Sequence, residues 1–154
     1  MTLAANLWND VDEKDHNLFL VHGLTQIARR TSGSSRRLRS PFPKASEEPD
    51  LATLSRWFRR YIDLRDAGPA ERILLTLHDR GYPAATIADL VFATATDFYF
   101  TGDGHALDFA NKMFEALEFV NWEGAQEILR PIVVDLVTRT RHEETTRWPD
   151  SVPV

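Results

Sequence analysis

The chain has 154 residues, 43% of them hydrophobic and 27% charged, with four Trp, three Tyr and nine Phe, the size and composition of one folded globular domain rather than a disordered chain. The absence of cysteine excludes disulfides, thiolate-held iron–sulfur clusters, Cys-based zinc sites and a Cys nucleophile. A formal charge of −5 argues against nonspecific nucleic-acid binding by the domain as a whole, and charges interrupt every apolar run, so no signal peptide or membrane span is expected and the protein reads as cytoplasmic.

In chain order, DHNLFLVHGLTQIARR (15–30) has apolar residues at 18, 20, 21, 24, 27 and 28, which is helical spacing with a basic last turn. Residues 31–50 lack periodicity and contain Gly, Ser and three prolines, which predicts a long basic surface loop. No acidic residue occurs from His16 to Ser46, while Arg29, Arg30, Arg36, Arg37, Arg39 and Lys44 supply six positive charges. A solvated basic loop is the favoured reading, with an anionic partner as the alternative. Asp50 is placed to cap a second helix, with Leu51, Leu54, Trp57, Phe58, Tyr61 and Ile62 on one face, running to about Ala67.

Gly68-Pro69 breaks the chain, and AERILLTLHDR makes a short third helix that Gly81 ends. Pro83 opens a fourth, AATIADLVFATATDFYF, and Thr101-Gly102-Asp103-Gly104 forms a tight connection to a fifth, HALDFANKMFEALEFV. A sixth helix is expected from about Trp122 to Glu144, kinked or split at Pro131. Residues 145–154 form a tail. No strand pattern and no internal repeat occur, so the predicted fold is all-α, a single domain over residues 1–154 built as a compact orthogonal or antiparallel bundle of five to seven helices.

Polar residues punctuate the fourth and fifth helices. His105 and Asp108 are three residues apart and share a face; Asn111 and Glu115 continue the stripe. Asp97 sits among apolar neighbours, and an antiparallel pair of helices would bring it toward His105 or Asn111. A structural role suits the same residues: His105 and Asp108 as first-turn caps, Lys112 paired with Asp108, and Asp97 capping the TGDG turn or held by an arginine from elsewhere. On the first helix His16 and His22 are six residues apart and point different ways; His22 reads either as a hydrogen-bonded core residue or as one ligand of a site shared between helices. Neither Glu115 nor Glu118 has a histidine three residues on, so a di-iron site is not expected. His78 and His142 read as exposed. No GxGxxG, Walker A, G-x-S-x-G or HExxH motif occurs.

The runs RWFRRYIDLRDAGPAERILLTLHDRG, ADLVFATATDFYFTGDGHALDFANKMFEALEFVNWEGAQEIL and RTRHEETTRWPDSV resemble the helical portion of bacterial proteins that carry a Rieske iron–sulfur domain. The resemblance spans about His22 to Pro149 and is most specific over Asp97 to Trp122. It implies a redox setting, with a helical body that houses a metal or substrate site served by an iron–sulfur or reductase partner. The Rieske cluster itself cannot be held on a chain without cysteine. After the Thr-Asp of ATATD the family pattern has a histidine, where this chain has Phe98.

Two functional expectations follow. One is a redox-associated helical domain that binds a single non-haem iron or zinc ion, or a small substrate, through His22, Asp97, His105 and Asp108, with Asn111 and Glu115 orienting the bound group by hydrogen bonds. The other is a non-catalytic helical interaction or oligomerisation module, in which the polar stripe supplies caps and pairs and Trp8, Trp57, Trp122 or Trp148 lines a partner surface.

Overall fold

The computed structural model describes residues 8–31, 39–44, 46–98 and 101–141. Contacts divide the chain into two units, residues 1–37 and 38–154. All regular structure among the described residues is helical, as expected, with six α-helices: α1 (His16–Thr31), α2 (Leu51–Asp63), α3 (Ala67–Asp79), α4 (Ala84–Ala95), α5 (His105–Phe119) and α6 (Ala125–Thr138). None is long and apolar enough to cross a membrane.

In the first unit, two short 3-10 turns, Trp8–Asp10 and Glu13–Asp15, lead into α1. His16 fixes the entry: its ring stacks on Trp8 with centroids 3.9 Å apart, and its Nε2–H is shared between the carbonyls of Trp8 and Val11, 3.0 Å each.

In the second unit α3 is the central helix. It packs against α2, α4 and α6, and α5 packs against α4 and α6. Eight of its residues are buried, among them Ala70, Ile73, Leu74 and Leu77, so it is apolar almost all round, as a helix enclosed by others must be. Around it α2 contributes Leu54, Phe58 and Ile62, spaced by four so that they stack on one face. Ile87, Leu90 and Val91 come from α4, Ala110, Phe114 and Leu117 from α5, and Leu129, Ile132, Val133 and Leu136 from α6.

Local chemistry explains the boundaries. Asp50 accepts a hydrogen bond from the Thr53 amide at 2.8 Å and starts α2, satisfying one of the free donors of the first turn. α2 stops at Asp63 because Arg65 takes a left-handed φ of 58°, four residues earlier than the periodicity suggested. Gly81, at φ 71°, follows the end of α3 as expected. α4 ends at Ala95, short of the expected Phe100. There the Asp97 amide leaves the four-residue ladder for the Thr94 carbonyl, 3.2 Å, a tighter three-residue step. α6 begins at Ala125 rather than Trp122, because Asn121, Trp122 and Gly124 all carry positive φ, and it runs through Pro131 to Thr138. Residues 142–154, including His142 and Trp148, lie outside the described residues.

Described residues of the predicted surface loop are fastened to α3. Arg39 lies 3.7 Å from Glu71, the Phe42 amide donates to the Thr76 hydroxyl at 2.9 Å, and Arg72 stacks on the Phe42 ring at 4.8 Å. Arg80 bonds the Pro49 carbonyl and pairs with Glu48, 2.9 and 3.2 Å. The described residues of 39–50 are thus a strap, and residues 32–38 of the expected basic loop lie outside the described residues.

Candidate functional site

The six residues expected to bind a metal or cofactor are placed as follows. His22 lies exposed on α1, in the first unit. Asp97 is exposed at the end of α4, its carboxylate 2.8 Å from the Arg59 guanidinium of α2; it is held by an arginine, not by His105 or Asn111. His105 and Asp108 are both exposed in the first turn of α5. Gly104, at φ 86°, occupies the cap position of that helix and has no side chain to cap it. Asn111 donates to Glu115 at 2.8 Å, and Lys112 reaches both oxygens of Glu115, 2.9 and 3.0 Å, so the expected Lys112–Asp108 pair gives way to Lys112–Glu115. Among the described residues no group of three or more His, Cys, Asp or Glu is arranged to hold a metal ion. The one E-x-x-H spacing, Glu13 to His16, is also no chelating pair, because the His16 Nε2 is engaged with two carbonyls.

His78 is half-buried, not exposed, and stacks on Trp122 at 5.6 Å. Trp122 is itself tied to Glu118 by its indole N–H at 3.0 Å. Of the described tryptophans Trp8, Trp57 and Trp122, only Trp57 counts among the exposed large hydrophobics, and Trp148 lies outside the described residues.

Arg141 was hidden in a segment that reads as charged and solvated, yet it is 2% exposed. Its guanidinium donates to the carbonyls of Ile62 and Asp63 at 2.6 and 3.2 Å and to the Asp63 carboxylate at 3.2 Å. Below it lies the Phe98 ring, 3.7 Å to the centroid. In return Arg65, at the end of α2, donates to the carbonyls of Val137 and Arg139 at 2.8 and 3.0 Å. Each arginine therefore satisfies orphan carbonyls at the C-terminus of the other's helix, where a cation also complements the helix dipole. Glu71 was likewise missed: it is 3% exposed, lies 3.7 and 3.8 Å from Arg39 and Arg130, and its Oε1 has no hydrogen-bond partner among the described residues. Its i−3 spacing from the buried Leu74 was the available signal.

Two other features are open. A cleft of about 440 Å³ between α2 and α4 is lined by Leu51, Ser55, Arg59, Thr86, Asp89 and Leu90, but Arg59 at its end is already paired with Asp97. The second is on α1, where Leu18, Val21 and Leu24 are 70, 60 and 56% exposed. Steps of three keep these side chains along one side of the helix. No protein-family model, curated protein or solved structure matches this chain.

Proposed function

We propose that the protein is a helical interaction module, in which a folded five-helix body accompanies a helix whose apolar side is covered by a partner. The observation that carries this reading is the Leu18, Val21, Leu24 stripe. An isolated helix of this length is marginal in water and draws its stability from a packed apolar face. Covering the three exposed side chains is worth about 1–2 kcal/mol each, enough to favour association once both partners contribute. The redox-associated reading would require donors that converge, whereas Asp97 is taken up by Arg59 and Glu115 by Asn111 and Lys112, so interaction is the better-supported role.

The test is hydrodynamic. The tagged full chain, fractionated from the cells that make it, is expected to run well above its 17.6 kDa, and a Leu18→Asp/Val21→Asp/Leu24→Asp variant with unchanged far-UV dichroism is expected to run as a monomer. Elution of the unaltered chain at monomer mass would sink the proposal.

A further inference from the structure

We infer that the face of α3 under residues 39–43 is a docking site for an extended peptide, an arginine followed by an aromatic residue between two prolines, and that the strap is its displaceable occupant in cis. The site lies wholly in the second unit and does not depend on the α1 stripe. Along α3, Gly68, Arg72, Thr76 and Arg80 recur in steps of four, which sets them in one line on one face, and each of them meets the strap. The Arg39 guanidinium lies over Gly68, its Cζ 3.1 Å from where a Cβ would stand. Arg72 reaches the Pro41 carbonyl and stacks on the Phe42 ring, Thr76 accepts from the Phe42 amide, and Arg80 holds the Pro49 carbonyl and Glu48. Three of these contacts go to main-chain atoms, so α3 reads mostly the path of an extended chain, with specificity left to the arginine and the ring.

The two ends of the strap are held unequally. At the carboxyl end Arg80 makes contacts of 2.9 and 3.2 Å. At the amino end the Arg72 contact is 3.5 Å and the Arg39–Glu71 contact 3.7 Å, both longer than a well-formed bond of about 2.9 Å. The same end holds two buried polar atoms without a partner among the described residues, Glu71 Oε1 and Arg72 Nε, although buried polar atoms are normally bonded. One lacks a donor and the other an acceptor. An arginine seated more deeply over Gly68 would supply the donor through the second arm of its fork, and the carbonyl of a chain lying closer to Arg72 would supply the acceptor. The strap runs on into Asp50, the cap of α2, which fixes its path; a separate peptide carries no such tether. Few contacts at the amino end offset the entropy of ordering it, so this part of the strap opens at far less cost than the body unfolds. Pro41 and Pro43 fix φ, which lowers the entropy that a like peptide loses on binding.

Hydrogen exchange on the unaltered full chain reads the opening. The Phe42 amide, bonded to Thr76, is expected to exchange about a hundredfold or more faster than the Leu74 and Leu77 amides of α3. Exchange at the same rate would mean that the strap leaves only when the molecule unfolds, and would overturn the inference. A labelled, end-blocked peptide of residues 39–44 reads the site by fluorescence anisotropy. It is expected to bind a Phe42→Ala chain about tenfold or more tightly than the unaltered chain, since the occupant in cis no longer competes. Adding Arg72→Ala should then cost about tenfold or more in affinity. If Phe42→Ala disturbs the far-UV spectrum, Pro41→Gly takes its place, loosening the strap without touching α3. No binding up to about 1 mM peptide, equal affinity for the unaltered and loosened chains, or binding that survives Arg72→Ala would each overturn the inference.

Discussion

Arg141→Ala removes the guanidinium that caps α2, and its cost can be worked from the contacts. Three hydrogen bonds are lost, two of them to main-chain carbonyls of Ile62 and Asp63. Hydrogen bonds to a charged group contribute about 1.5–3 kcal/mol, and those carbonyls are then left short of a donor. The Phe98 stack at 3.7 Å adds about 1–2 kcal/mol for a cation out of water. Against this, the folded chain no longer holds an arginine in one conformation, which returns up to about 2 kcal/mol. The Asp63 carboxylate weighs little because it is 62% exposed. The net is a loss of about 3 kcal/mol, or roughly 15 °C in Tm for a body of this size. Urea and thermal unfolding followed by far-UV dichroism measure it. Asp63→Ala is the control, expected to cost under about 1 kcal/mol, because the carbonyls remain. The capping argument fails if Arg141→Ala is within about 1 kcal/mol of wild type or if Asp63→Ala costs as much.

Three further outcomes are expected. Gly102→Ala should cost about 1–2 kcal/mol by thermal unfolding, since Gly102 has φ 57° and a Cβ there would meet Arg139 Cδ at 2.5 Å; an unchanged Tm would contradict it. Hydrogen bonds from Thr53, its side chain first and then its amide, hold the Asp50 carboxyl below its usual value of 3.8. A depressed pKa stabilises the fold above the unfolded value and is lost as pH falls through the folded one. Asparagine caps equally well but does not titrate, so the Tm of wild type should fall relative to Asp50→Asn below about pH 4, and parallel curves down to pH 2.5 would refute the cap. Glu71→Met should leave stability equal or higher in urea titrations: the buried carboxylate has no hydrogen bond at Oε1, and Arg39 and Arg130, 53 and 35% exposed, can return to water. A loss above about 2 kcal/mol would show that those two ion pairs outweigh the cost of burial.

Periodicity and punctuation made most of the fold legible. Leu54, Phe58 and Ile62 declared a face, and Asp50, Gly81 and Pro83 marked ends whose causes are local: a cap, a left-handed φ, a missing N–H. Boundaries failed where the backbone left the regular ladder. α4 ends where the Asp97 amide turns to Thr94, and Asn121 and Trp122 adopt left-handed angles, rare for a bulky residue such as tryptophan. The polar stripe misled for a related reason. Spacing shows that His105, Asp108, Asn111 and Glu115 share a face, but not whether that face meets water or another helix. Asp97 seemed enclosed because its sequence neighbours are apolar, and the turn after Ala95 delivers it to Arg59 instead. Arg141 was illegible because its partners, Ile62 and Asp63, are nearly 80 positions away. The α1 stripe was legible in full as a pattern; that its side chains are exposed is a property of the fold.

The Phe98 ring is the platform under the buried Arg141 guanidinium. An aromatic face attracts a cation through its quadrupole, whereas a protonated imidazole repels one. In Phe98→His, Arg141 would hold the new histidine below its ordinary pKa, so the unfolded chain binds the extra proton more readily. Stability relative to wild type should then fall as pH is lowered through the normal histidine range and recover above it. Urea titrations at pH 5 and pH 8 decide the matter, and an equal difference between the two proteins at both values would refute the platform role. If the prediction holds, the aromatic face at position 98 is what lets Arg141 stay charged in a buried place and tie the end of α2 to the segment after α6.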